Sequence, residues 1–383
     1  MKKLLVLFVV ALLPFVFVGC NNANEGTKIG LIVSAAGAND NGYNEYAIEG
    51  LNKAKDEFDI DTQVVTSAAD VPGSIKTLAE EGYDLIFSLE YDFNALITDD
   101  GSGKSIAEQY PETTFVIFNA FANTDTNGDK IHDNVIEVIF NVNEGSFLAG
   151  ALAVLVNENH EVLFDSEEYD FTPTSEYRGL AFVGGTESDG ISVFGWGFAQ
   201  GANYVAEELD VEYNIYETYA AGFAATPAVR TQIDSYYDAG VNVVFAAAGG
   251  VSTAMKNSAA DKGKLAIDVD ANQDASVPGS VLTSVLKETN IAIYDLVKKY
   301  VDEKLDDAVY TYGLTFAGST GITDLATIEG YIQDTTEAQA KWTEIKEKIA
   351  DVKAKIIDGT IDVVDAQAGD STPYPLSNVT KVN

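Results

Sequence analysis

Apolar positions along the chain fall into two kinds of run. Short runs rich in β-branched and aromatic residues are "KIGLIV", "TQVVT", "DLIFSL", "TFVIFN", "VIEVIF", "GLAFVGG", "YNIYETY", "VNVVFAAA", "LAIDVD" and "VLTSVL". Several are continuous rather than alternating, as strands buried on both faces of a parallel sheet require. Between them lie stretches with helical period, among them "NEYAIEGLNKAKDEF", "IKTLAEEG", "GFAQGANYVAEEL" and "TPAVRTQIDSYYDAG". Strand and helix alternate, which predicts an α/β fold of doubly wound parallel sheets with right-handed crossovers. The alternation comes in two blocks, about 28–141 and about 178–270, with the apolar helix "NEGSFLAGALAVLV" between them. After residue 282 a helix, "NIAIYDLVKKYVDEKL", and a strand, "VYTYGLTF", read as returns to the first block. The helix "TEAQAKWTEIKEKIADVKAKIIDG" shows Lys and Glu outside and Ile, Val and Trp342 inside, and is expected on the second. "HEVLFDSEEYDFTPTSEYRG" reads as an acidic surface insertion or hairpin.

Both ends change the picture. Lys2 and Lys3 precede an apolar stretch, Leu4–Val18, of signal-peptide length and short for a membrane span. Gly19 then precedes Cys20, the only cysteine in the chain. That pattern predicts a lipoprotein signal, residues 1–19, with a lipid on the Cys20 thiol and a tether at 20–27. With a single Cys no intrachain disulfide can form, so packing must hold the fold. Residues 369–383, with Ser, Thr and Pro, are expected to form a loose tail.

Net charge is −37. It excludes nucleic acid as a partner, since binding there needs cations to replace counterions. It also disfavours adhesion to anionic lipid, leaving the anchor to hold the protein at a membrane.

Open parallel sheets bind ligands at the carboxyl ends of their strands. Those ends carry Ser34, Asp40, Tyr43 and Asn44 after the first run, and Phe223 after "ETYAAG". They carry Gly249 and Gly250 after "VFAAA", Asp270 after "LAIDV", and Lys287 after "LTSVL". One aromatic from each block, a carboxylate, amides and one Lys suit a flat polar molecule. Three other motifs fail on spacing. "GSGKS" lacks the first Gly of a phosphate loop, and Asp99 and Asp100 would repel phosphate. "DTNGDKIHD" has Lys130 where a calcium loop needs Gly and Ile136 where it needs Glu. His132 and His160 sit in polar stretches without a Cys partner, and no nucleophile–base spacing occurs. No metal, cofactor or catalytic group is expected.

The segments "GLIVSAAGANDNGYNEYAIEGL", "FNVNEGSFLAGALAVL", "GLAFVGGTESDGISVFGWGFAQGANYV", "AGVNVVFAAAGG" and "AIDVDANQD…VLTSVLK" occur in that order. Together they resemble the basic membrane protein family, lipoprotein substrate-binding components of ABC transporters that include purine nucleoside receptors. The resemblance implies a type I periplasmic-binding fold whose two lobes are joined by a three-strand hinge. Lobe 1 would hold 28–141 and about 285–320, and lobe 2 would hold 142–284 and about 321–368. It implies a nucleoside, with a purine expected, in the cleft between Tyr43 and Phe223. Asp270 would take the ribose hydroxyls and Lys287 the sugar side. Asp40 and Asn44 fall on the family's "D-K-S-F-N" motif, here "DNGYN", and Gly249 and Gly250 line the pocket. Ser34 stands where the family usually has an Asp that contacts the base. An ABC permease and its ATPase would be the partners of a monomer on the extracytoplasmic face of the cell membrane. Three alternatives stay open: another small solute, a ligand-sensing receptor, and a nucleoside hydrolase, which would need a metal-holding Asp cluster.

Overall fold

The computed structural model describes residues 26–66, 70–89, 92–125, 127, 129–316, 318–367 and 375–382. The signal sequence, Cys20 and most of the tether lie outside them. Among the described residues thirteen strands form two sheets: β1 (Thr27–Ile32), β2 (Ile60–Val65), β3 (Leu85–Ser88), β4 (Thr114–Phe118), β5 (Val135–Phe140), β6 (Gly179–Gly184), β7 (Tyr213–Thr218), β8 (Val243–Ala247), β9 (Leu265–Asp270), β10 (Val281–Lys287), β11 (Val309–Tyr312), β12 (Thr320–Ile322) and β13 (Val379–Val382).

The first sheet runs β11-β5-β4-β3-β1-β2 and is parallel throughout. The second runs β12-β10-β9-β8-β6-β7-β13 and is parallel except for β12. Central strands such as β5, β6 and β8 are buried at every position, which explains their unbroken apolar runs. Three connections join the lobes: Asn141 after β5, Glu288 after β10, and the segment between β11 and β12. β10 pairs with β9 from Val281 to Leu286 and with β12 from Val285 to Lys287, so the second lobe reaches Lys287.

The helices Val142–Glu158 and Asp189–Leu209 make the most extensive helix–helix contact among the described residues. Glycines permit this. A Cβ on Gly201 would overlap the carbonyl oxygen of Phe147, and one on Gly150 would overlap that of Phe198. "NEGSFLAG" and "GFAQG" are therefore the two sides of one backbone-to-backbone contact. The helix Thr336–Ile357 buries Trp342, Ile345, Ile349 and Val352 and packs on the second lobe.

Two expectations are corrected. The end of the chain is not loose throughout, because Val379–Val382 adds a parallel edge strand to β7. Tyr213 N–H donates to Asn378 O, and Asn378 N–H donates to Asn203 Oδ1. Nor is the acidic stretch after residue 160 a surface hairpin. It begins with a short helix, His160–Leu163, and Leu163, Phe164 and Tyr169 are buried. Rings of Phe164, Tyr169 and Phe171 pack within 4.7–5.4 Å of one another. His160 is buried with them, its Nδ1 2.6 Å from Asn157 O. His132 is likewise structural, its Nε2 2.6 Å from Ile97 O.

Candidate functional site

β1 ends in a loop whose shape comes from its own short polar side chains. Asp40 caps the helix Tyr43–Glu57: its carboxylate accepts from the N–H groups of Gly42, Asn44 and Glu45 at 3.0–3.1 Å. Asn44 is fully buried. Its Oδ1 accepts from Ser34 N–H at 2.9 Å, and its Nδ2 donates to Ser34 Oγ and Gly37 O at 3.0 Å. Both amide hydrogens are thus committed to the loop, and Asn44 does not line the cavity. It holds Ser34 in place.

The loop faces a cavity of about 500 Å³ between the lobes. Ser34, Asp40 and Tyr43 line it from the first lobe. Phe223, Gly249 and Asp270 line it from the second, and Lys287 lines it at a connection between them. Seven of the nine expected residues therefore share one cavity. Gly250 lines a second, polar cavity of about 310 Å³ beside it, with Lys256, Asp268 and Gln273. The buried Lys256–Asp268 ion pair, at 2.6 Å, forms part of that wall.

Sequence reasoning missed Asn119, Phe121, Phe194 and Gln367, all on the cavity wall. Asn119 and Phe121 follow β4 directly, so the strand-end rule that found the others applies to them. The Asn119 amide donates to the Tyr43 hydroxyl at 2.6 Å in a buried contact, and its Oδ1 has no partner among the described residues. Asn119 and Asp270 both adopt left-handed backbone, with φ 59° and 68°, conformations that carry strain outside glycine and cluster at functional sites.

The two expected clamp rings differ in setting. Tyr43 is 7% exposed, with the Lys287 ammonium 4.9 Å from its ring centre. Phe223 is 46% exposed and rests on Gly185, where a Cβ would come within 2.5 Å of the ring. Gly185 is thus small because the ring lies on its backbone.

Lys287 is buried, with its ammonium also 5.6 Å from the Phe140 ring and 5.7 Å from Phe194. Burial pushes its pKa down to about 8, opposed by the attraction of Asp270. Burial pushes Asp270 up to about 7; Lys287 opposes this, and Asp40 and Asp268 add to it. Glu288, the next residue, is pushed up to about 7, mainly by burial. The lobes touch above the cavity: Gln273 Nε2 donates to Asn41 O at 2.6 Å, and Gly42 lies against Asp270. No group of three or more His, Cys, Asp or Glu is placed to hold a metal among the described residues.

Two parallel sheets joined by three connections around a cleft define a type I periplasmic-binding-like α/β fold. A solute-binding protein of an ABC transporter from Aeropyrum pernix K1 superposes with a TM-score of 0.68 over 89% of this chain and 94% of its own, at 22% identity. A periplasmic solute-binding protein from Actinobacillus succinogenes, solved with bound D-allose, gives 0.55 over 80% and 100% at 16% identity. At these identities the likeness is one of fold.

Residues 27–365 match the Bmp family, described as ABC transporter substrate-binding protein PnrA-like, and the chain belongs to that family. It is 25% identical to basic membrane protein A1 of Borrelia garinii subsp. bavariensis over 79% of this chain and 81% of that one. It is 25% identical to the ABC transporter nucleoside-binding protein BmpA of Lactococcus lactis subsp. cremoris over 79% and 83%. Members of such a family bind substrate for a transporter and are not enzymes.

Proposed function

We propose that this protein is an extracytoplasmic, lipid-anchored receptor that binds a nucleoside between its lobes, closes around it by a hinge and delivers it to an ABC permease and its ATPase. The carrying observation is the cavity of about 500 Å³ that gathers Tyr43, Phe223, Asp270 and Lys287 from separate parts of the chain. The printed name of the Lactococcus relative points the same way.

In this reading the base lies against Phe223 on one side and the Tyr43 side of the cleft on the other. Base–aromatic stacking contributes roughly 1–3 kcal/mol per base. Asp270 accepts the ribose hydroxyls, a charge-assisted contact of roughly 1.5–3 kcal/mol. Two rings and one carboxylate give roughly 3.5–9 kcal/mol before the losses of association, and a micromolar ligand needs about 8. Asp40 and Asn44 act one step back, shaping the loop that presents Ser34 and Tyr43. Closure is supported by the Gln273–Asn41 hydrogen bond, which spans the lobes in this compact state.

A thermal-shift panel of nucleosides, free bases, sugars and amino acids tests this reading. Nucleosides alone should raise the melting temperature, by an amount that grows with the logarithm of concentration over Kd. A response confined to sugars or amino acids would overturn it.

A further inference from the structure

Four aromatic rings line the cavity among the described residues, and they differ in what they leave open. Tyr43 and Phe194 are buried, and the Tyr43 ring already carries the Lys287 ammonium 4.9 Å from its centre. Phe121 and Phe223 are 44% and 46% exposed. A lone apolar ring on an outer surface needs no explanation, but one in a cleft is area ready to be covered. Phe121 follows β4 in the first sheet and Phe223 follows β7 in the second, so the two open rings come from opposite lobes.

The loop around Phe121 is fixed on both sides. Asn119 N–H donates to Val138 O at 2.8 Å, and the Asn119 amide donates to the Tyr43 hydroxyl at 2.6 Å. Asn123 Nδ2 donates to the carbonyls of His132 and Val135 at 2.9 Å. The buried Glu137 carboxylate accepts from Asn123 N–H and from the Thr124 hydroxyl. Ala120 and Ala122, its immediate neighbours, pack against the core that holds Ile86, Ile97 and Ile117. Phe121 stands outside that core, and its ring is turned instead to the cavity it lines. With the residues on both sides pinned, the ring is placed before a ligand arrives rather than ordered by it.

We infer that Phe121 is the stacking face of the first lobe: a planar base slots between it and Phe223, while Tyr43 supports the Phe121 loop through Asn119. This rests on the nucleoside reading above and narrows it. A phenyl ring offers a flat apolar face and no hydrogen bond, so the ligand's ring must be flat on both sides, as a purine or pyrimidine is. Sugars and non-aromatic amino acids would leave both rings uncovered. Stacking reads planarity rather than ring substituents, so Phe121 sets affinity for the base and leaves the choice among bases to other groups.

The test is calorimetric titration of wild type, Phe121→Ala, Phe121→Leu and Phe121→Tyr with inosine, adenosine and uridine, beside melting curves that show each variant folded. Phe121→Ala should bind the nucleosides that wild type binds about 5- to 150-fold more weakly. Phe121→Tyr keeps the ring and should stay within about threefold of wild type. Phe121→Leu is apolar but not flat, and should bind about threefold or more weaker than Phe121→Tyr, whereas a mere packing role would survive in it. Phe121→Ala within about threefold of wild type, or Phe121→Leu equal to Phe121→Tyr, would overturn the role of Phe121 while leaving the nucleoside reading standing. Should Phe121→Ala fail to fold, the comparison of Leu with Tyr decides alone. Wild-type protein that binds none of the three would overturn both.

Discussion

Replacing Phe223 by Ala removes one wall of the cavity while sparing the fold, and the two effects can be worked separately. The ring is 46% exposed in the empty protein, resting on the backbone of Gly185. A fully buried aromatic covers ~200 Å², so a stacked base would cover about 90 Å² of the face now open. At ~25 cal/mol per Å² that is about 2 kcal/mol, inside the ~1–3 kcal/mol measured for base stacking. The predicted loss of affinity is about 30-fold. Truncation in the empty state forfeits the part of the ring already covered, about 110 Å² less what the Ala methyl keeps, so unfolding free energy should fall by about 2 kcal/mol with the protein still folded. Calorimetry with the best nucleoside from the panel and urea unfolding of the unliganded protein read the two quantities. Affinity within threefold of wild type would refute the stacking role. Gly185→Ala sharpens the test: its methyl would sit about 2.5 Å from the ring and push it into the ligand's space. That variant should weaken binding with Phe223 intact.

Other predictions follow the same geometry. Tyr43→Phe leaves the Asn119 amide without its buried 2.6 Å partner and should cost about 1–3 kcal/mol in urea unfolding, with nucleoside affinity changed only a few-fold because the ring remains. Gly201→Ala drives a methyl into the Phe147 carbonyl and should cost at least about 1–3 kcal/mol, read as a lower urea midpoint with unchanged m-value. Asp270 titrates at about 7 in the fold, above its unfolded value of about 4. Its contribution to the stability of the empty protein is present below about pH 4 and lost as pH rises through about 7, an effect Asp270→Asn should remove. Lys287, lowered to about 8, contributes stability that is present above about pH 10 and lost as pH falls through 8. Binding has the opposite sign to the Asp270 stability term, because ribose hydroxyls need the ionised carboxylate. Affinity should fall as pH drops below about 7, up to tenfold per unit, and calorimetry from pH 5.5 to 8.5 reads it.

The strands were legible because both faces of each sheet are covered, which turns whole strands apolar. Their carboxyl ends then located Tyr43, Phe223, Asp270 and Lys287 without knowledge of the fold. Reading failed where one residue type serves two purposes. Asn44 looks the same in sequence whether it meets a ligand or the loop around it, and here its hydrogen bonds go to Ser34 and the Gly37 carbonyl. β13 escaped because "VTKV" is four residues long, half-exposed, and gains its identity only from β7 beside it. The aromatic cluster around His160 was masked by the acids interleaved with it. Gln367 carries no local signal, since its place on the cavity wall depends on a segment about 80 residues beyond Lys287 in sequence folding back to the cavity.

Titration of inosine into wild-type protein and into the Tyr43→Ala, Phe223→Ala double variant, by calorimetry at pH 7.5, tests the central claim most directly. The account predicts one site per chain for wild type and no measurable heat of binding for the double variant, which should keep its folded far-UV circular dichroism. Equal affinity in the two proteins would contradict it.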